Sequence, residues 1–400
     1  MTTAERMRAW RGPAILTYGF RPLFLGASVW AAVAMALWVP MLSGHITLPT
    51  AFDSVSWHAH EFLFGYLGAV VAGFLLTAVP NWTGRLPIVG WPLGVLVALW
   101  LAGRVTVAVS AGLPPLLVAT ADLAFPVVFG AVLAREIVAG RNWRNLIVLG
   151  MLAVFTLGNA LFHWEAARGG YAAQGHGLRL GLGAAIMMIA VIGGRVVPSF
   201  TRNWLVKRRS AVLPVPPMQR FDKVALVVML GALVLWVVQP LHPLTGAALV
   251  LTGALHALRL GRWAGHRTLA EPLVTVLHVA YAFLPLGALA IGAEILLPGG
   301  LGMAGAQHLW MAGAVGLMTM AVMTRATLGH TGQALSAGAG TIAIYAALIL
   351  AVLARVGAGI WPEHAAWLHG LSGLAWIAGF GGFAGLYGPV MLRPHVGKAR

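Results

Sequence analysis

The sequence predicts an all-α polytopic membrane protein of about 12 transmembrane helices. Its 400 residues are 60% hydrophobic and only 9% charged, with a mean hydropathy of +0.85. A soluble domain carries about a quarter charged residues. Apolar runs near 22–42, 57–80, 88–110, 113–138, 144–166, 174–199, 221–239, 243–260, 270–297, 302–326, 336–357 and 362–391 fill nearly the whole chain. Each is long enough, at about 1.5 Å per residue, to cross a hydrocarbon layer about 30 Å thick. The basic residues lie in alternate connections between these runs, as expected of a multi-pass chain.

Taken in order with the N-terminus in the cytoplasm, the inner connections hold Arg6, Arg8, Arg11 and Arg21, then Arg85, then Arg135, Arg141 and Arg144. The basic 200–222 stretch follows, read as a cytoplasmic linker, and then Arg259, Arg262 and Arg267, Arg325, and Arg393, Lys398 and Arg400. The outer connections hold little beyond Arg168 and Arg355, with Asp53, Glu165, Glu294 and Glu363. This pattern predicts both termini on the cytoplasmic side. The basic N-terminus lacks a short apolar core with a small-residue cleavage site, so the first span is expected to serve as an uncleaved signal. No polar segment is long enough to fold alone, and residues 1–400 read as a single integral membrane domain. The net charge of +16 belongs to these short loops and indicates membrane lipid rather than nucleic acid as the partner.

A faint repeat recurs every fourth span. Spans 2, 6 and 10 begin at His58-Ala59-His60, His176 and His308, and end in Thr/Arg/Gly-rich motifs around Thr83-Gly84-Arg85, Gly194-Arg195 to Arg202, and Thr324-Arg325 to Gly332. The repeat predicts three pseudo-symmetric groups of four helices. The 51 glycines, as in Gly177-Leu178-Arg179-Leu180-Gly181, suit close helix contacts in lipid.

The absence of cysteine excludes disulfides, iron–sulfur clusters, thiolate sites and covalently attached haem. Histidine is the remaining metal-ligand signal. On this topology His45, His58, His60, His163, His176, His308, His364 and His369 fall near the outer ends of spans, whereas His278 lies deeper. Imidazoles are costly in hydrocarbon, so a layer of them points to a metal or haem. His60, His176 and His308 are the foremost ligand candidates, followed by His58, His163 and His369. His58 and His60 are two apart and point to opposite helix sides, so they are not expected to share a metal.

Glu61, and Glu165 beside His163, are candidate carboxylates behind those ligands. Arg104 and Arg179 lie in the outer halves of spans 3 and 6, where positive-inside charge does not explain them. They could pair with haem propionates, snorkel, or pair with Asp122 or Glu61. Asp122 is the one acid near the middle of a span, needs a partner or a wet cavity, and is a proton-path candidate.

The runs Gly19-Phe20-Arg21-Pro22-Leu23-Phe24, Trp57-His58-Ala59-His60-Glu61-Phe62, Gly73-Phe74 to Gly84, Ile192-Gly193-Gly194-Arg195 to Asn203 and Met323-Thr324-Arg325 to Gly332 resemble the NnrS family over essentially the whole chain. That resemblance implies a bacterial inner-membrane protein with non-covalent haem b and copper, linked to denitrification and relief of nitric oxide stress. Twelve helices with outer histidines are also similar, more distantly, to the main subunit of haem–copper oxidases and nitric oxide reductases. Span 7 has no His-His pair and span 10 no close His-x-His, so a copper site must use another set, such as His163, His176 and His369.

The leading expectation is a haem- and copper-containing protein that binds or turns over nitric oxide or nitrosylated iron. Nitric oxide, or another small diatomic ligand, and an electron donor would be its partners, and an oxidoreductase activity is open. The alternatives are a twelve-span transporter without redox chemistry, for which Gly/Pro-interrupted spans and Asp122 would serve, and a haem-based sensor or assembly factor needing a partner protein.

Overall fold

The computed structural model describes residues 10–84 and 87–394. Arg6, Arg8, Arg85, His395, Lys398 and Arg400 lie outside the described residues. Twelve helices are long and apolar enough to span a membrane: α1 (Phe20–Leu42), α2 (Ser54–Pro80), α3 (Trp91–Ala108), α4 (Pro115–Ala139), α5 (Trp143–Ala167), α6 (His176–Lys207), α7 (Arg220–Val238), α8 (Pro243–Arg267), α9 (Pro272–Leu296), α10 (Gly302–His330), α11 (Ala339–Ile360) and α12 (Pro362–Leu392). No strand occurs among the described residues.

Local chemistry explains where these helices start. Proline occupies the first turn of α3, α4, α8 and α9, where its missing N–H costs nothing. The starts of α2, α6 and α10 are each held by an acid. Asp53 accepts from the Val55 and Ser56 amides at 3.0 and 2.9 Å. Glu165, at the end of α5, accepts from the His176 and Gly177 amides at 2.7 and 3.2 Å. Glu294 accepts from the Leu301 and Gly299 amides at 2.5 and 3.3 Å. These acids satisfy orphan N–H groups at helix entrances.

Two helices outrun the expected ends. The α6 helix continues to Lys207 instead of stopping near 199, because Val197, Pro198, Thr201 and Leu205 form a buried stripe at helical spacing opposite the exposed Arg195 and Arg202. The α10 helix likewise runs to His330. Arg21 was read as a loop charge, but it is buried and its Nη1 donates to the carbonyls of Met391 and Arg393 at 3.1 and 2.8 Å, closing the end of α12.

The three spans marked by the repeat are also the three that contain wide, π-type turns. These are Glu61–Tyr66 in α2, Ile189–Gly193 in α6 and Leu309–Leu317 in α10. In α2 and α10 the widened segment begins at the residue after His60 and His308 respectively. Such turns release backbone carbonyls from the helical ladder and are common at functional sites.

The helices divide into two compact units. Unit 1 comprises Met1–Gly181, Met323–Ala334 and Phe380–Arg400, and unit 2 comprises Leu182–Val322 and Leu335–Gly379. The spans α6, α10 and α12 each contribute residues to both. In unit 1, α5 and α6 touch backbone to backbone: a Cβ on Gly158 would sit 2.6 Å from the Gly181 amide and 3.0 Å from the Gly177 carbonyl. This is the close approach that small residues permit. In unit 2, Asp222, Arg259, His256 and Tyr281 form a buried polar cluster. Arg259 Nε donates to Asp222 Oδ1 at 2.9 Å, and its Nη1 donates to the Ala190 carbonyl, in the widened segment of α6, at 2.8 Å.

Candidate metal centre

Six polar side chains converge inside unit 1, all of them nearly inaccessible to solvent: His60 and Glu61 from α2, Arg104 from α3, Asp122 from α4, and Asn159 and His163 from α5. The widened turn that begins at Glu61 lets two consecutive residues serve one cluster. His60 Nδ1 lies 3.0 Å from Glu61 Oε1, and its Nε2 lies 3.0 Å from Asn159 Oδ1 and 3.3 Å from Asp122 Oδ2. His163 Nε2 lies 3.1 Å from the same Asp122 oxygen. Asn159 Nδ2 donates to Asp122 Oδ2 at 2.7 Å.

Arg104 bridges the two carboxylates, donating to Glu61 Oε1 at 2.7 Å and, through Nη2, to Asp122 Oδ1. Trp30 Nε1 donates to Glu61 Oε2 at 2.7 Å. Gly65 makes room for the guanidinium, since a Cβ there would run into Arg104 Nη1. The freed carbonyl of Gly65 is taken up by Trp100 Nε1 at 2.9 Å. Each charged side chain therefore faces an opposite charge, as burial in a span requires.

Two carboxylates face one guanidinium here, so with neutral imidazoles the cluster carries one uncompensated negative charge. One ligand atom each from His60, Asp122 and His163 lies within 4.8 Å of the others, a separation a single metal ion can span. Two imidazoles and one carboxylate are a donor set suited to iron or copper, with coordination positions left for an exogenous ligand. Glu61, on the far nitrogen of His60, stands where a carboxylate fixes the tautomer of a ligating imidazole. The residues thus fit a single ion. They do not fit a porphyrin, because both faces of the cluster are filled: Phe52 stacks on His60 at 5.5 Å between ring centroids, and Phe64 and Phe162 lie at 5.5 and 5.4 Å.

Beside the cluster is a cavity between α2, α3, α4 and α5, walled mainly by Phe64, Trp100, Phe125, Phe129 and Phe155. Arg104, Asp122 and Asn159 form its polar end. An apolar wall with a few convergent polar groups is the usual form of a small-ligand site.

The NnrS protein family matches residues 14–395, nearly the whole chain. The chain belongs to the NnrS family. It is accordingly a multi-pass membrane protein of the nitric oxide response. No curated protein matches it.

Within this NnrS fold the expected histidines separate. The buried polar cluster takes His60 and His163, together with Glu61, Arg104 and Asp122. His176 is elsewhere: its side chain is 61% exposed and its Nδ1 lies 3.4 Å from Glu165. His58 stacks on Trp38 with centroids 3.9 Å apart, turned away from His60. His308 Nδ1 bonds the Ala304 carbonyl at 2.7 Å, and His369 is half-buried on α12. Arg179 donates to the Gln174 carbonyl at 2.5 Å. The set His163, His176 and His369 is not gathered, and Glu165 caps α6 rather than backing His163.

Arg104 pairs through its two terminal nitrogens with Glu61 and Asp122, the ion-pair alternative to a propionate contact. His278, the deeper histidine, pairs through Nε2 with Thr201 Oγ1 at 2.7 Å in unit 2. Sequence reading missed Asn159, Trp30 and Trp100. Asn159 had a usable signal: it lies four residues before His163 in an otherwise apolar span, placing both on one face. The tryptophans had none, because indole is common in any membrane helix.

Proposed function

We propose that this protein holds a copper ion at His60, His163 and Asp122 and carries non-covalent haem b elsewhere. In this reading it binds or turns over nitric oxide or nitrosylated iron, relieves nitrosative stress and is linked to denitrification. Its setting is the bacterial inner membrane with both termini cytoplasmic, and it draws on an electron donor if it turns over. The observation that carries the proposal is the buried two-imidazole, one-carboxylate donor set, whose Asp122 also lines an aromatic cavity. Nitric oxide is small and weakly polar, so an aromatic wall admits it while disfavouring ions and bulk water.

A bound copper ion would supply a coordination position and a one-electron couple. The protein's own groups do the rest. Glu61 orients His60, Asn159 and Arg104 hold Asp122, and Trp30 anchors Glu61. Arg104 offsets one of the two carboxylate charges, and a bound cation would offset the other.

The test is elemental analysis of the purified protein together with optical and electron paramagnetic resonance spectra before and after nitric oxide. Copper near one per chain, lost in H60A and H163A, with a nitric oxide-dependent spectral change, is expected. Background copper and iron would end the reading. The transporter alternative draws on the widened turns in α2, α6 and α10, which free carbonyls inside spans. Substrate accumulation in metal-free vesicles would favour it.

A further inference from the structure

Arg355, which is half-buried, differs from the three arginines that are fully buried. Arg21, Arg104 and Arg259 each donate to carbonyls or carboxylates, with one guanidinium nitrogen of each left over. Arg355, six residues inside the end of α11, forms no hydrogen bond or ion pair with any described residue, and its Nε is shielded from solvent. No carboxylate among the described residues forms an ion pair with it. It also sits on the side of the membrane where the charge pattern leaves few basic residues.

The helix contacts in unit 2 show what surrounds it. Ser372 Oγ donates to the Ala351 carbonyl at 2.8 Å, and a Cβ on Gly357 would lie 3.7 Å from Leu368, so α11 and α12 run antiparallel here. Arg355 is four residues beyond Ala351 and His369 three residues before Ser372, which places both on the facing surfaces at one level. On the other side, a Cβ on Gly305 of α10 would lie 4.0 Å from Gly359, bringing His308 to the same level by the same spacing. One guanidinium and two imidazoles therefore lie at one level of unit 2.

We propose that Arg355, flanked by His369 and His308, is a binding site for an anionic oxyacid group, a carboxylate or phosphate, reached from the membrane interface. A guanidinium presents parallel N–H donors that match such groups, and in a low-dielectric setting an unpaired one calls for a counter-ion. Two sources offer this chemistry: the headgroup of an anionic phospholipid and the propionate of a bound haem. The inference stands on the surroundings of Arg355 and does not depend on the metal cluster of unit 1.

The experiment compares wild type with R355Q. Haem per chain is measured by pyridine haemochrome in purified protein. Thermal stability is measured in nanodiscs of phosphatidylglycerol and of phosphatidylcholine. Loss of about tenfold or more in retained haem, with the phosphatidylglycerol preference intact, identifies a propionate site. Loss of the phosphatidylglycerol-dependent stabilisation, with haem intact, identifies a lipid headgroup site. A folded R355Q protein unchanged in both quantities overturns the proposal. Should R355Q fail to fold, R355K keeps the charge and loses the parallel donors. Retention weakened about tenfold supports the site, and wild-type values in both assays overturn it. Copper lost in H60A with these responses unchanged would separate failure of the unit 1 reading from failure of this one.

Discussion

Oδ2 of Asp122 lies 3.1 Å from Nε2 of His163. The same carboxylate receives Asn159 and Arg104 and faces His60, so one acid on α4 joins three neighbouring helices. D122N keeps the size and removes the charge. It should lower copper bound per chain by more than about tenfold, since both a ligand and the charge balance are lost. Metal analysis after dialysis against a graded chelator series checks this.

The two histidines of the cluster should behave differently from the exposed one. H60A and H163A are each expected to abolish copper retention. H176A should leave copper unchanged, because that ring is exposed and tied only to Glu165. Equal loss in all three variants would contradict the assignment of ligands.

Removing Arg104 strands two carboxylates in the bundle. R104Q should destabilise the protein by about 3–5 kcal/mol, the cost of breaking a buried ion pair from one side. R104K should not restore stability, because one ammonium cannot span Glu61 and Asp122 in the geometry of a planar fork. Thermal melts in detergent, with and without added copper, separate folding loss from metal loss.

Gly65 and Gly68 give a paired test of packing on α2. A methyl group on Gly65 would strike the Arg104 guanidinium, whereas on Gly68 its nearest neighbour would be Phe155 at 4.0 Å. G65A is expected to cost about 1–3 kcal/mol and to reduce bound copper, while G68A leaves both intact. Melting temperature and copper content measured side by side decide it.

Glu165 gives the converse case, stability without metal. E165A removes the acceptor for the first two amides of α6 and should cost about 1 kcal/mol. Copper content should stay at the wild-type value. A fall in copper would return Glu165 to the role of a carboxylate behind His163.

The number and order of the spans were legible in the chain because hydrocarbon forces each crossing to be a long apolar helix, a constraint local to about 20 residues. The special standing of α2, α6 and α10 was legible too, in the recurring histidine starts and Thr/Arg/Gly ends. So were His60, His163, Glu61, Arg104 and Asp122, since a polar residue in an apolar run is visible without knowing its neighbours. The sequence alone could not say which imidazoles share a site. His60 and His163 are 103 residues apart, and they meet only because α5 packs closely enough on its neighbours for Asp122 to bridge them. Depth in the membrane is one coordinate, read from position along a helix. Rotation of each helix and its choice of neighbours are the others, and packing in the tertiary structure fixes those. For that reason His176, at the same expected depth, faces outward while Asn159, unmarked in the sequence reading, lies at the centre.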